Sequence, residues 1–158
     1  MSSEPLRLHT LLGEYPVTRA LKEGKVRSDL VRLDIADVKV PHHAFQRVVR
    51  NLEFDVAEIA IVTFLMARAF GKPYKLLPAV MFGRFQHPYL MYNVERGKVA
   101  PKDLEGRRVA IRSNSVTTVA WVRGILSDDY GVDLSRVRWV TFEEAHVAEF
   151  RDPPNSER

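Results

Sequence analysis

Residues 111–126, IRSNSVTTVAWVRGIL, run from the apolar end of a strand into an amphipathic helix, with Ser113, Asn114, Ser115, Thr117 and Thr118 around the junction. A strand, a small polar turn and a helix make up most of a βα unit, the building block of parallel sheets. Helices commonly open with an acid, because Asp and Glu complement the positive end of the helix dipole and its free N–H groups. None stands in this first turn. A cap needs one small polar residue and this turn has five, so it reads as a place for an external anion such as a carboxylate, beside the plainer role of N-capping.

The same order recurs outward from this point. PKDLEGRRVAI (101–111) gives a turn and a strand, the helix ends near Tyr130 and Gly131, and VRWVTF (137–142) gives another strand. Nearer the amino terminus LRLHTLL (6–12) is a strand, Pro16 opens a helix that Gly24 stops, and Val31 to Ile35 forms a second strand. Pro41 starts a helix in which Ala44, Phe45, Val48 and Val49 share one face. A brief strand at Phe54–Ala57 precedes a helix from Ile59 to Phe70 that is apolar nearly all round. About a dozen residues cannot cross a bilayer, so this helix is expected to be buried. YKLLPAVMF (74–82) and HPYLMYNV (87–94) read as two extended segments joined by GRFQ, and RDPPNSER (151–158) as a mobile polar tail. The expectation is an α/β protein with a first lobe over 1–92, the start of a second lobe over 93–150 and a tail over 151–158.

Composition narrows the function classes. At 158 residues the chain can bury one core or two small ones. With no cysteine it has no disulfide framework and no thiolate chemistry. The first residues, MSSEPLRLHTLLGEYP, lack a basic stretch followed by an apolar one, so no secretory signal is expected and a cytoplasmic address follows by default. The net charge of +4 is spread among acids without interleaved exposed aromatics, which speaks against a nucleic-acid partner and suits a small anionic ligand. No membrane partner is expected.

Ligands of open α/β sheets sit beyond the carboxyl ends of the strands. Here those turns are Gly13–Pro16, Ala57–Ile59, Gly83–His87 and Ser113–Thr118. They carry Glu58, which is either a first-turn acid supporting its helix or a functional carboxyl, and Arg84 and His87, three residues apart. Trp121 is pocket wall or core, and Arg123 reads as structural. His42 and His43 are adjacent, which is not the i, i+4 spacing of a chelating pair, and His9 and His146 stand alone, so the spacing supports no metal site. There is no glycine-rich phosphate loop and no nucleophile elbow.

FDVAEIA (54–60), FGRFQH (82–87), PKDLEGRRVAI and above all TTVAWVRGILSDDYGV (117–132) resemble the 4,5-dihydroxyphthalate decarboxylase family. The W-x-R-G-I-L-x-x-x-Y-G-V pattern from Trp121 to Val132 is the most specific of these. The resemblance implies the two-lobed type 2 periplasmic-binding-protein fold, truncated relative to the family, and decarboxylation of a dihydroxylated aromatic dicarboxylate to protocatechuate and carbon dioxide in aromatic-compound catabolism, with no organic cofactor. It implies that Glu58 or His87 supplies the acid and base, while Arg84 and the Ser113, Asn114, Ser115, Thr117, Thr118 turn hold the carboxylates, with Trp121 beside them. The family's matching segment resembles S-R-x-F-R-H, and this chain has Gln86 where an arginine would be expected. The partner is then a small aromatic carboxylate, and a chain with half-built lobes is expected to self-associate or to need a second polypeptide. The alternative on the same fold is a solute-binding or ligand-sensing module without chemistry.

Overall fold

The computed structural model describes residues 4–158. Strands β1 (Leu6–Leu11), β2 (Val31–Ile35) and β3 (Val56–Ala57) form one sheet in the order β2-β1-β3, and β4 (Arg108–Ile111), β5 (Arg138–Thr141) and β6 (Ser156–Glu157) form another in the order β4-β5-β6. All pairs are parallel, in the register Leu6 opposite Val31 and Leu11 opposite Ala57 in the first sheet and Ile111 opposite Thr141 in the second. Parallel neighbours need crossovers. Helices α1 (Pro16–Lys22), α2 (Phe45–Asn51) and α4 (Thr117–Asp128) lie in those connections, and α3 (Ile61–Ala69) follows β3. The α/β class expected from the alternating pattern is the class observed.

Local chemistry sets the helix ends. Pro16 occupies the first turn of α1, where its missing N–H has no cost, and Gly24 after the helix takes a left-handed φ of 69°. A short 3₁₀ turn over Pro41–Ala44 leads into α2, and Ala44, Phe45, Val48 and Val49 are all buried as their spacing required. With Leu11, Phe54, Ala67 and Val147 they make the core of the first sheet. Leu126, Val132, Val137 and Trp139 make that of the second. Each side chain of this size contributes about 1.5–3 kcal/mol on full burial.

Four segments differ from expectation. Strand β3 is two residues long because Asp55 turns its carboxylate to the His9 N–H (2.8 Å), a donor that a longer ladder would have engaged. Helix α3 buries Thr63, Phe64 and Ala67 but leaves Ile61 and Leu65 exposed, since it is covered on one side only. Residues 73–100 form no strand: Pro73, Pro78 and Pro88 lack N–H donors, and 3₁₀ turns at His87–Tyr89 and Val94–Arg96 break the second segment. Their apolar side chains, Val80, Phe85 and Met91 among them, face solvent.

The polar tail is the fourth. It closes the second sheet as β6, because Asn155 accepts the Trp139 N–H (2.9 Å) and donates to the carbonyls of Leu134 (2.9 Å) and Val137 (2.8 Å). Just before it, the chain recrosses to the first sheet, where Val147 is fully buried and Arg50 donates to the carbonyls of Ala145 (2.7 Å) and His146 (3.0 Å). Among the described residues, no helix is long and apolar enough to cross a membrane.

Candidate functional site

Four connecting turns come together: three lie beyond the carboxyl ends of β1, β3 and β4, and the fourth, Gly83–His87, lies in the strand-free stretch 73–100. The Glu58 carboxyl, beyond β3, accepts the Gly13 N–H (2.7 Å) and the Tyr15 hydroxyl (2.7 Å), both beyond β1. Gly13 is required by close approach, since a Cβ there would stand 2.7 Å from the Tyr15 ring. Burial, and then the adjacent Glu58, push the Tyr15 hydroxyl up to about 12, so it stays a donor. The Tyr15 ring stacks on Phe82 at 6.0 Å between centroids. The Arg84 guanidinium lies 5.5 Å from the Phe82 ring centre and 3.9 Å from that of Tyr89, and donates to the Tyr89 hydroxyl (2.7 Å) and to Thr118 Oγ1 (3.1 Å). Thr117 completes the ring of turns by accepting the Val62 N–H (3.1 Å) through its hydroxyl, so it caps α3 from another helix.

Ser113, Asn114 and Ser115 face inward. All three are buried; Ser113 and Ser115 hydrogen-bond each other at 3.0 Å, and Ser115 Oγ accepts the His146 N–H (3.3 Å). Asn114 donates to Asp152 (2.9 Å) and Ser156 (3.0 Å) and accepts from Arg123 (2.7 Å). These hydroxyl and amide groups therefore bind α4 to the end of the chain. The first turn of α4 has neither a side-chain cap nor an acid, so its positive end remains open.

Beside that end is a cavity of ≈ 280 Å³ whose charged lining residues are Arg84, Arg112 and Arg123. Val109, Ile111, Val116 and Val122 supply apolar walls, Trp139 lies among them, and no acidic residue lines it. Arg112 pairs with Glu143 (2.7 Å). Arg84 and Arg123 have no carboxylate partner among the described residues; Arg123 lies 4.8 Å over the Trp139 ring, and burial pulls its pKa down. The Trp139 indole N–H is buried with no partner among the described residues. A second cavity, of ≈ 240 Å³, mixes arginines with Glu144 and Asp152 and so offers no such imbalance of charge.

The candidates read from the sequence separate in space. Glu58, Arg84, Thr117 and Thr118 belong to one connected set. His87 is exposed, and its side chain makes no hydrogen bond among the described residues. Trp121 is 57 % exposed, on the outer side of α4 and neither core nor wall of the cavity. Tyr15, Phe82, Arg112 and Arg123 enter the site without having been singled out for it; Arg112, which follows the last residue of β4 and precedes the small polar turn, was the one that position alone could have indicated. Among the described residues, no group of three or more His, Asp or Glu stands ready for a metal ion.

No protein-family model matches the chain. The 4,5-dihydroxyphthalate decarboxylase of Comamonas testosteroni is 30% identical over 136 residues, which is 85% of this chain and 41% of that protein. The 4,5-dihydroxyphthalate decarboxylase of Pseudomonas putida is 30% identical over 146 residues, 89% of this chain and 56% of that protein. The chain spans about half the length of the curated relatives it matches, and it is a partial relative of the 4,5-dihydroxyphthalate decarboxylases.

Proposed function

From that partial relationship we propose that the chain supplies the carboxylate-holding part of a cytoplasmic decarboxylase for a dihydroxylated aromatic dicarboxylate, in the cleft of a two-lobed type 2 periplasmic-binding-protein-like fold. The observation that carries the proposal is the acid-free cavity lined by three arginines against the open end of α4. Apolar walls suit an aromatic ring, and guanidinium groups with a helix N-terminus suit its carboxylates. In this scheme Arg84, Arg112 and Thr118 orient the substrate. A hydroxyl para to the departing group gives up its proton, electron density moves to the carboxyl-bearing ring carbon, that carbon takes a proton, and the carbon–carbon bond breaks to release carbon dioxide. Glu58 or His87 delivers and accepts these protons. Self-association or a second polypeptide covers the apolar face over 73–100.

A second reading has its own observation. Both Glu58 oxygens are engaged by Gly13 and Tyr15, and His87 stands free at the surface, an arrangement that suits a module which binds a carboxylate without transforming it.

One experiment decides between them. The protein is incubated with 4,5-dihydroxyphthalate in heavy water while carbon dioxide is followed. The enzyme reading expects gas and deuterium at the carbon that lost its carboxyl, with Glu58→Gln or His87→Gln slowing turnover by about 10²–10⁴. Binding without gas selects the binding module, and no binding refutes both.

A further inference from the structure

His146 lies where the chain recrosses from the second sheet to the first, 5% exposed. Its Nδ1 is 2.9 Å from the Thr63 hydroxyl on α3, and its Nε2 is 3.5 Å from an Arg112 Nη. The ring stands edge-on to Phe45, 5.5 Å between centroids. A guanidinium donates and never accepts, so the nitrogen facing Arg112 must be the bare one; the ring proton then sits on Nδ1 and is given to Thr63. On its other side Arg112 is held by Glu143 (2.7 Å).

We propose that His146 is a positioning residue, whose neutral ring, anchored to α3 through Thr63, fixes the Arg112 guanidinium at the wall of the arginine-lined cavity. Its bearing on ligand affinity rests on the carboxylate reading given above, whereas the clamp itself does not. Protonating the ring would set N–H against N–H and cation against cation. The environment opposes this: burial first, then Arg112, His42 and Arg50, all disfavour the charged ring, Glu143 alone favours it, and the balance holds His146 at about 4.

The test begins on the unmodified protein, by nitrogen-15 NMR of the imidazole. The clamp requires a neutral ring with its proton on Nδ1, persisting below pH 5; a proton on Nε2, or titration near the ordinary histidine value, overturns it. The second arm titrates phthalate calorimetrically at pH 7.5. His146→Gln is expected to bind roughly tenfold more weakly, the loss of one hydrogen bond to a charged group. Because His146 acts through Arg112, the double variant with Arg112→Gln should bind no more weakly than Arg112→Gln alone. Additive losses would show that His146 acts elsewhere and refute the positioning role. If phthalate does not bind the unmodified protein, the carboxylate reading fails, and the ring's tautomer and titration decide the clamp.

Discussion

Lowering the pH should weaken this fold in a defined window, through His146. The folded protein holds that ring at about 4 against an ordinary 6.5, with 5% of the residue exposed. Above 6.5 the ring is neutral whether the chain is folded or not, and its contribution is fully present. Between 6.5 and 4 the unfolded chain binds a proton that the folded one refuses, so stability falls as pH falls. At 1.36 kcal/mol per unit the loss totals about 3 kcal/mol, a large share of the roughly 5–15 kcal/mol of a typical domain. The direction also matters: carboxyls held low by cationic or N–H partners, such as Glu53 beside Arg47 and Glu149 beside Lys72, lose their contribution at the acid end of the range. Urea denaturation at pH 6.5 and pH 4.5 brackets the histidine, and about 2–3 kcal/mol should separate the two. In His146→Gln that difference should shrink to what His42 and the carboxyls leave. A native protein equally stable at both values would refute the argument that burial holds the ring neutral.

Leu52 ends α2 with a left-handed φ of 52° while 46% exposed, so Leu52→Gly should raise stability by about 1 kcal/mol in urea denaturation; a loss would mean that its packing outweighs the backbone strain. Thr117→Val removes the hydroxyl that caps the Val62 N–H and should cost about 1 kcal/mol, seen as a lower urea midpoint, whereas an unchanged midpoint would show the cap to be idle. Gly13→Ala drives a methyl into the Tyr15 ring and should break its bond to Glu58, at a cost of about 1–3 kcal/mol that Tyr15→Phe already incurs, so the double variant should be little worse than either single one.

What the sequence made legible is what local chemistry decides. Pro16 and Pro41 mark helix starts because a proline in the first turn gives up nothing, and the Ala44, Phe45, Val48, Val49 spacing names a buried face because only a helix brings those positions together. The convergence of the turns after β1 and β3 was legible for the same reason, since chain direction in a parallel sheet sends those turns to one end, whereas Gly83–His87 joins them from a stretch without strands. What distant partners decide was not. Ser113, Asn114 and Ser115 have the hydrogen-bonding capacity to hold an anion, and equal capacity to hold a buried segment. Their actual partners, Asp152, Ser156 and His146, lie more than thirty residues along the chain. Polar residues near the end read as solvated until Asn155 is seen serving two carbonyls and a strand N–H. Trp121 and Trp139 are alike in composition terms, yet one lies outside and the other is core, because β5 is covered on the face that Trp139 occupies.

The separation of charge along the site follows a physical logic of its own. Two opposite charges about 4 Å apart attract by about 4 kcal/mol near a protein surface, so an acid and an arginine left within reach would pair and neutralise each other. Glu58 and Arg84 do not pair. Neutral donors, the Gly13 N–H and the Tyr15 hydroxyl, satisfy the carboxyl, and the Tyr15 and Phe82 rings stand in the line of contacts that leads on to the guanidinium. Arg84 is in turn held by a phenol, a threonine hydroxyl and two ring faces, none of which cancels its charge. Arg123 is treated alike, with Asn114 and the Trp139 ring as partners. Holding cations with neutral groups fixes their geometry while leaving their field unspent, and of the two the half-buried Arg123 stands to gain more than the exposed Arg84 from an anion that arrives from outside. On the carboxylate reading proposed above, this favours the cavity between them, with no acid in its lining, over the turn of small polar residues beside it, whose side chains are already engaged.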